Sequence, residues 1–194
     1  MERYSQNSEQ DYILEYFKDR KGKYLDIGAF DGRTLSNTYA LLESGWEGVL
    51  VEASPTMFTA MQRILHGRNV HLCNACIVTE PVTGMITFYD NDQATATIAT
   101  AHVSKWEGQT PFRPITVMPV HYQAILSNYG TDFDMVSVDV EGQSAELFLK
   151  LFPLLPKVDL WVVEHDNRQG EIREIAQGFS VLYENGENLV LGRK

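Results

Sequence analysis

Apolar positions along this chain fall into two rhythms that take turns. Short, nearly unbroken apolar runs stand at residues 24–27, 48–51, 70–77, 134–138 and 159–163, the pattern of strands buried on both faces. Between them lie stretches whose apolar residues are three and four apart, the pattern of amphipathic helices. A first helix is expected over residues 9–20 behind a Ser8 cap, with Ile13, Tyr16 and Phe17 on one face, packed across the sheet edge or closing over a ligand. A second carries Leu35, Tyr39 and Leu42 at i, i+4, i+7 and stops at Gly45. Ser54-Pro55 reads as cap and first turn of a third, with Met57, Phe58, Met61, Ile64 and Leu65 inward and Gly67 at its end.

Beyond residue 79 the rhythm changes. Residues 85–89 read as an extra short strand and 115–120 as another. Residues 91–114 show neither period; a stretch of that length inside a compact domain is uncommon and often functional, so a substrate loop or lid is expected there. His102, Lys105 and Trp106 are its candidate substrate contacts. Helices then follow with Tyr122, Ile125, Leu126 and Tyr129 before Gly130, with Leu147, Phe148 and Leu151 before Pro153 and Pro156, and with Ile172, Ile175, Ala176 and Phe179. Residues 181–183 and 189–191 flank Asn185-Gly186, a hairpin signal. A sheet that begins in parallel βα units and ends in an antiparallel hairpin implies a doubly wound, mostly parallel seven-stranded α/β fold. Dinucleotide folds end on a sixth parallel strand instead.

With 194 residues the chain suits one domain, 1–194. Its 16 basic and 26 acidic residues leave a formal charge of −10, which argues against charge-driven binding to nucleic acid or an anionic membrane. The first twenty residues contain no apolar leader and no run is long enough to cross a bilayer, so a soluble, cytoplasmic protein is expected. The two cysteines, Cys73 and Cys76, form a C-x-x-C within a strand, where an offset of three places side chains on opposite faces. They read as reduced thiols beside the core rather than a zinc or redox pair, since zinc needs further ligands.

The candidate chemistry gathers at the first strand's end, Asp26-Ile27-Gly28-Ala29-Phe30-Asp31-Gly32. Gly28 and Gly32 allow backbone to turn tightly and approach a ligand. Asp26 and Asp31 make the turn acidic, which repels a pyrophosphate and welcomes a cation, and the glycine spacing differs from G-x-G-x-x-G. The second strand ends in Glu52-Ala53, where a carboxylate can accept both hydroxyls of a ribose. Together these residues describe a pocket for S-adenosylmethionine, with Cys76, at the third strand's end, near an adenine ring.

Residues 25–32, 51–55, 133–142 and 187–190 resemble the FkbM family of S-adenosylmethionine-dependent methyltransferases, the third stretch through its Asp139-Val140-Glu141-Gly142 signature. The resemblance runs from about residue 23 to the end of the chain. Phe30 stands where the family usually has Asn, and Ser137 where it usually has Lys; the family's mid-chain Ser-Ser pair is replaced by threonines around Thr95 and Thr97. The resemblance implies methylation of a hydroxyl oxygen on a small molecule or glycan. A hydroxyl must lose its proton at transfer, and His165 is the first candidate base and Asp139 the second, both at carboxyl ends of strands. Asp139 with Asp166-Asn167 is also similar to the magnesium-holding set of catechol-type O-methyltransferases. Two other readings compete: a module of the same fold that binds the cofactor without catalysis, and a nucleotide-dependent oxidoreductase, which the glycine spacing and the hairpin disfavour.

Overall fold

The computed structural model describes residues 2–106 and 111–194. The side chains of His102, Lys105 and Trp106 lie outside that description, and with them their expected contact with a substrate. In chain order the elements begin α1 (Glu9–Phe17), β1 (Lys23–Ile27), α2 (Tyr39–Glu43), β2 (Glu47–Glu52), α3 (Pro55–Ile64) and β3 (Val70–Asn74). They continue β4 (Cys76–Val78), β5 (Ile86–Asp90), α4 (Thr100–Trp106), β6 (Arg113–Val117), β7 (Pro119–His121) and α5 (Tyr122–Tyr129). The chain closes with β8 (Met135–Val138), α6 (Ser144–Leu151), β9 (Leu160–Glu164), α7 (Gln169–Ile175), β10 (Phe179–Glu184) and β11 (Asn188–Arg193).

Seven strands form one sheet in the order β10-β11-β9-β8-β1-β2-β3, parallel except for β11, which runs antiparallel between β9 and β10. The doubly wound expectation and the inserted terminal strand both hold. Alternate side chains leave a strand on opposite faces. Leu25, Ile27, Val49, Val51, Val136 and Val138 therefore pack with Ile125, Phe148 and Ile172 of α5, α6 and α7. Tyr24, Leu50 and Met135 pack on the other face with Ile13 and Phe17 of α1, Leu41 of α2 and Met61 of α3. The first helix lies across β11 and β10: Tyr12 stacks on Tyr183, and Tyr16 donates to the Arg193 carbonyl.

Several boundaries differ, each for a local reason. Helix α1 stops at Phe17, and Ser8 caps nothing; the Ser5 hydroxyl takes the Gln10 N–H instead. No helix begins directly after the glycine turn. Asp31 accepts from the N–H groups of Arg33 and Thr34, and Ser36 from those of Thr38 and Tyr39, so side chains hold the backbone that a helix would need. Leu35 is thus outside α2. The third strand breaks at Ala75, whose N–H bonds the Glu52 carbonyl, and β4 leaves the main sheet to pair with β7.

Residues 91–114 are not without elements. They hold α4, a bridge from Thr97 to Tyr89, and the start of β6, which pairs antiparallel with β5. That pairing joins residues far apart in sequence, so local periodicity does not display it. Phe179 opens β10 rather than closing α7. The final turn forms without left-handed residues: the Asn185 side-chain oxygen accepts the N–H groups of Glu187 and Asn188.

Candidate functional site

In an open parallel sheet, the carboxyl ends of the strands border a crevice. Here β1, β2 and β8 end around a cavity of about 1050 Å3, counted to its mouth. Its floor is Asp26, Gly28, Ala29, Glu52, Ser137 and Asp139; Phe88, Ala96 and Ile98 wall it from the segment after β4. Gly28 has φ +87°, and a Cβ there would stand 1.7 Å from the Asp139 carbonyl oxygen. Only glycine lets the β1 turn lie this close to the end of β8.

The acids are held firmly. Asp26 is buried and accepts from the Thr38 hydroxyl at 2.6 Å; burial raises its carboxyl to about 6. Glu52 accepts from the N–H groups of Phe30 at 2.8 Å and Ser54 at 2.7 Å, and burial raises it to about 7 despite those bonds. The Phe30 bond fixes the turn after β1 to the end of β2. Asp139 is partly exposed where it lines the cavity, yet burial, and then Glu164 and Glu141, push its carboxyl well above the usual range. Cys76 lines the cavity as a buried thiol pushed up to about 12 by burial, an inert wall rather than a nucleophile. Cys73 and Cys76 are both free thiols.

A second cavity, of about 920 Å3, adjoins the first and shares Gln6, Phe30, Leu35, Asp139, Glu141 and Asn188 with it. Glu164, Glu187 and Thr95 complete one side. Asn188 is 3% exposed; its amide nitrogen donates to Glu9, and its oxygen has no partner among the described residues. Phe30 and Leu35 hold left-handed backbone, φ +53° and +57°, which costs a bulky side chain about 1–2 kcal/mol each.

Of the expected site residues, Asp26, Gly28, Ala29, Phe30, Glu52, Ala53, Cys76 and Asp139 come together around the first cavity. Asp31 and Gly32 do not line it. Asp31 ties down Arg33 and Thr34, and Gly32, at φ +77°, leaves room for Met61 and Leu65 of α3. His165, the first candidate base, is 2% exposed and lines neither cavity. Its Nδ1 accepts from the Asn167 N–H, so the ring proton lies on Nε2, facing the Asn185 carbonyl at 3.3 Å. Asp166 accepts the Ala145 N–H at the start of α6, and neither it nor Asn167 lines either of these two cavities. Oxygens of Asp139, Glu141 and Glu164 lie within 4.8 Å of one another instead, with Glu164 accepting from Ser144 and the Glu141 N–H. Gln6, Asn37, Gln143 and Asn188 also line the first cavity. Polar residues in loops or at strand starts carry no periodic signal, so of these four the sequence marks only Asn188, through the family resemblance at 187–190.

The model of the methyltransferase FkbM domain matches residues 26–182, which takes in both ends of this crevice and most of the chain. The chain belongs to the FkbM methyltransferase family. No curated protein matches it. Among solved structures, precorrin 8W decarboxylase from Methanobacterium thermoautotrophicum is 12% identical, with a TM-score of 0.52 over 95% of this chain and 88% of the other. The ribosomal protein L11 methylase of Lactobacillus delbrueckii subsp. bulgaricus is 13% identical, with a TM-score of 0.51 over 96% and 77%. At these identities the likeness is one of fold.

As an FkbM protein the chain is an S-adenosylmethionine-dependent methyltransferase. Its site fits that cofactor. Among the described residues no lysine or arginine lines the first cavity to attract a phosphate, while buried carboxyl groups stand ready for a cation and for vicinal hydroxyls. Glu52 would hold the ribose, Asp26 the charged end, and Ala75, Cys76 and Ile77 the adenine ring.

Proposed function

We propose that this methyltransferase alkylates a hydroxyl oxygen on a small molecule or glycan, with Asp139 as the base that takes the hydroxyl proton. The observation that carries the reading is the position of Asp139, which lines both adjoining cavities. A carboxyl there meets the first cavity, which fits the cofactor, and the second, which is left for an acceptor. Its raised pKa makes its ionised form a stronger base than an ordinary carboxylate. The cofactor supplies the activated methyl group when bound.

The chain's own residues supply alignment and shielding. Gly28 and the Phe30 N–H, held by Glu52, set the turn against which one reactant rests. Fixing both reactants in one geometry is worth roughly 7–11 kcal/mol in favourable cases. Phe88, Ala96 and Ile98 close the apolar side against water. The acidic balance, −10 overall, supports an acceptor other than nucleic acid.

Isothermal titration with S-adenosylhomocysteine, followed by mass-spectrometric detection of methyl transfer to a panel of hydroxyl compounds, tests this. Binding is expected in the native chain and in Asp139→Asn, and lost in Glu52→Ala. Transfer is expected to fall about 100-fold or more in Asp139→Asn. Undiminished transfer by that variant, or methylation confined to nitrogen, would overturn the reading.

A further inference from the structure

Left-handed backbone is cheap for glycine, asparagine and aspartate and costly for bulky side chains. Seven non-glycine residues among those described adopt it: Lys18, Phe30, Leu35, Asp92, Glu141, Asp166 and Asn167. Three of these are Asp or Asn, and Lys18 ends α1. The remaining three, Phe30, Leu35 and Glu141, line both cavities. Costly conformations held at one place in a fold mark a wall whose side chains are needed there.

That wall has two characters. Phe30 and Leu35 make an apolar surface, and Leu35 remains 44% exposed although it is large and hydrophobic. The second cavity is also lined by oxygen acceptors: Asp139, Glu141, Glu164, Glu187 and Asn188. The Asn188 oxygen is buried beside this space and is unsatisfied among the described residues, so a hydroxyl donor entering the cavity would remove an otherwise unmet demand.

We infer that the second cavity is the acceptor site and that Phe30 and Leu35 are its specificity residues, selecting an acceptor with a flat apolar face beside its hydroxyl. The inference rests on the methyltransferase reading above and adds the acceptor's shape to it. The flat face lies on Phe30 and Leu35, because an aromatic ring and an exposed leucine lose the most by facing water. The hydroxyl edge turns to Asp139 and Asn188. Asparagine at position 30 would relieve the backbone and keep the N–H that bonds Glu52, while removing the platform.

The test is titration of 2-naphthol, a flat neutral hydroxyl compound, into protein saturated with S-adenosylhomocysteine, with glycerol as the hydroxyl compound that has no flat face. Measurable 2-naphthol affinity is expected in the native chain, weakened tenfold or more in Phe30→Asn and in Phe30→Leu, with glycerol binding undetectable. Because Phe30 also lines the first cavity, each variant is saturated with S-adenosylhomocysteine according to its own measured affinity, so that a change in cofactor binding does not enter the 2-naphthol reading. The melting temperature of ligand-free Phe30→Asn should be kept or raised by up to about 4 °C, a readout that separates lost recognition from lost folding. Equal 2-naphthol affinity in native and variant chains under saturating S-adenosylhomocysteine, or equal affinity for glycerol, overturns the inference. Failure of the native chain to bind S-adenosylhomocysteine would sink the methyltransferase reading and this inference with it. Cofactor binding without 2-naphthol binding would sink this inference alone.

Discussion

Glu52 illustrates how one residue can tie the cofactor site to pH. Its carboxyl, near 7 in the folded chain, must be ionised to accept strongly from two hydroxyls. Binding then releases a proton whenever the pH lies below that value. Affinity for S-adenosylmethionine should therefore fall by up to tenfold per unit as pH drops below 7 and level off above it. Titrations from pH 5.5 to 8.5 check this, and Glu52→Gln should flatten the profile. Gly28→Ala should cost about 3 kcal/mol or more in urea denaturation, because both its φ and the Asp139 carbonyl oppose a methyl group. An unchanged midpoint would mean that β1 and β8 do not approach as described. Asp26, Gly28, Glu52 and Asp139 are legible in the sequence because each follows a buried strand, and a parallel sheet gathers such ends in one place. His165 follows a strand too, but its neighbours Asp166 and Asn167 turn left-handed and fold the imidazole under the hairpin turn at Asn185. Sequence position gives no hint of that rotation.

Elements were easiest to read where propensity, capping and periodicity agree. At α3, Ser54 accepts from the Met57 N–H, Pro55 follows, and Gly67 ends the segment at φ +75°. Ser54 also donates to the buried Asp90 of β5, so its hydroxyl joins the helix start to the extra strands. Ser54→Ala should cost about 1 kcal/mol from the cap and lower the melting temperature by about 2–4 °C. A loss well beyond that range would show the Asp90 bond to matter more than the cap. The α2 region was misread because apolar spacing alone reports a possible helix, and here Asp31 and Ser36 offer the backbone better partners. The elements within residues 91–114 leave no periodic signal for a different reason. Their order comes from pairing β6 with β5 and Thr97 with Tyr89, contacts that exist only once the chain has folded back.

Taken whole, the molecule keeps three acids, Asp26, Glu52 and Asp139, packed into one end of its sheet without a basic residue lining the cavity among those described. Asp26 and Glu52 titrate near 6 and 7 when folded, against ordinary values of 3.8 and 4.5. Between about pH 4 and 7 the folded chain thus holds more protons than the unfolded one. The stability these groups contribute is full below that window and is lost as pH rises through it. Ligand-free protein should show a higher urea midpoint at pH 5.5 than at pH 8, and saturating S-adenosylmethionine, a cation, should narrow the gap. A higher midpoint at pH 8 without ligand would contradict the buried acids. At this scale the sheet and its reversed last strand were readable in advance. The second cavity was not, since it forms where Gln6, the turn after β1 and the final hairpin come together.

The short parallel pair β4 and β7 has a consequence for how such a protein diversifies. Cys76 lies opposite Pro119 and Val78 opposite His121, so β4, where the chain leaves the main sheet, is paired with β7, which leads into α5. The excursion between them contributes Phe88, Gln93, Ala94, Ala96 and Ile98 to the cavities, whereas Asp26, Glu52 and Asp139 come from strands of the main sheet or their ends. The excursion is in effect a cassette. A different segment set into the same frame would change the walls of both cavities and leave the acidic strand ends of the main sheet in place.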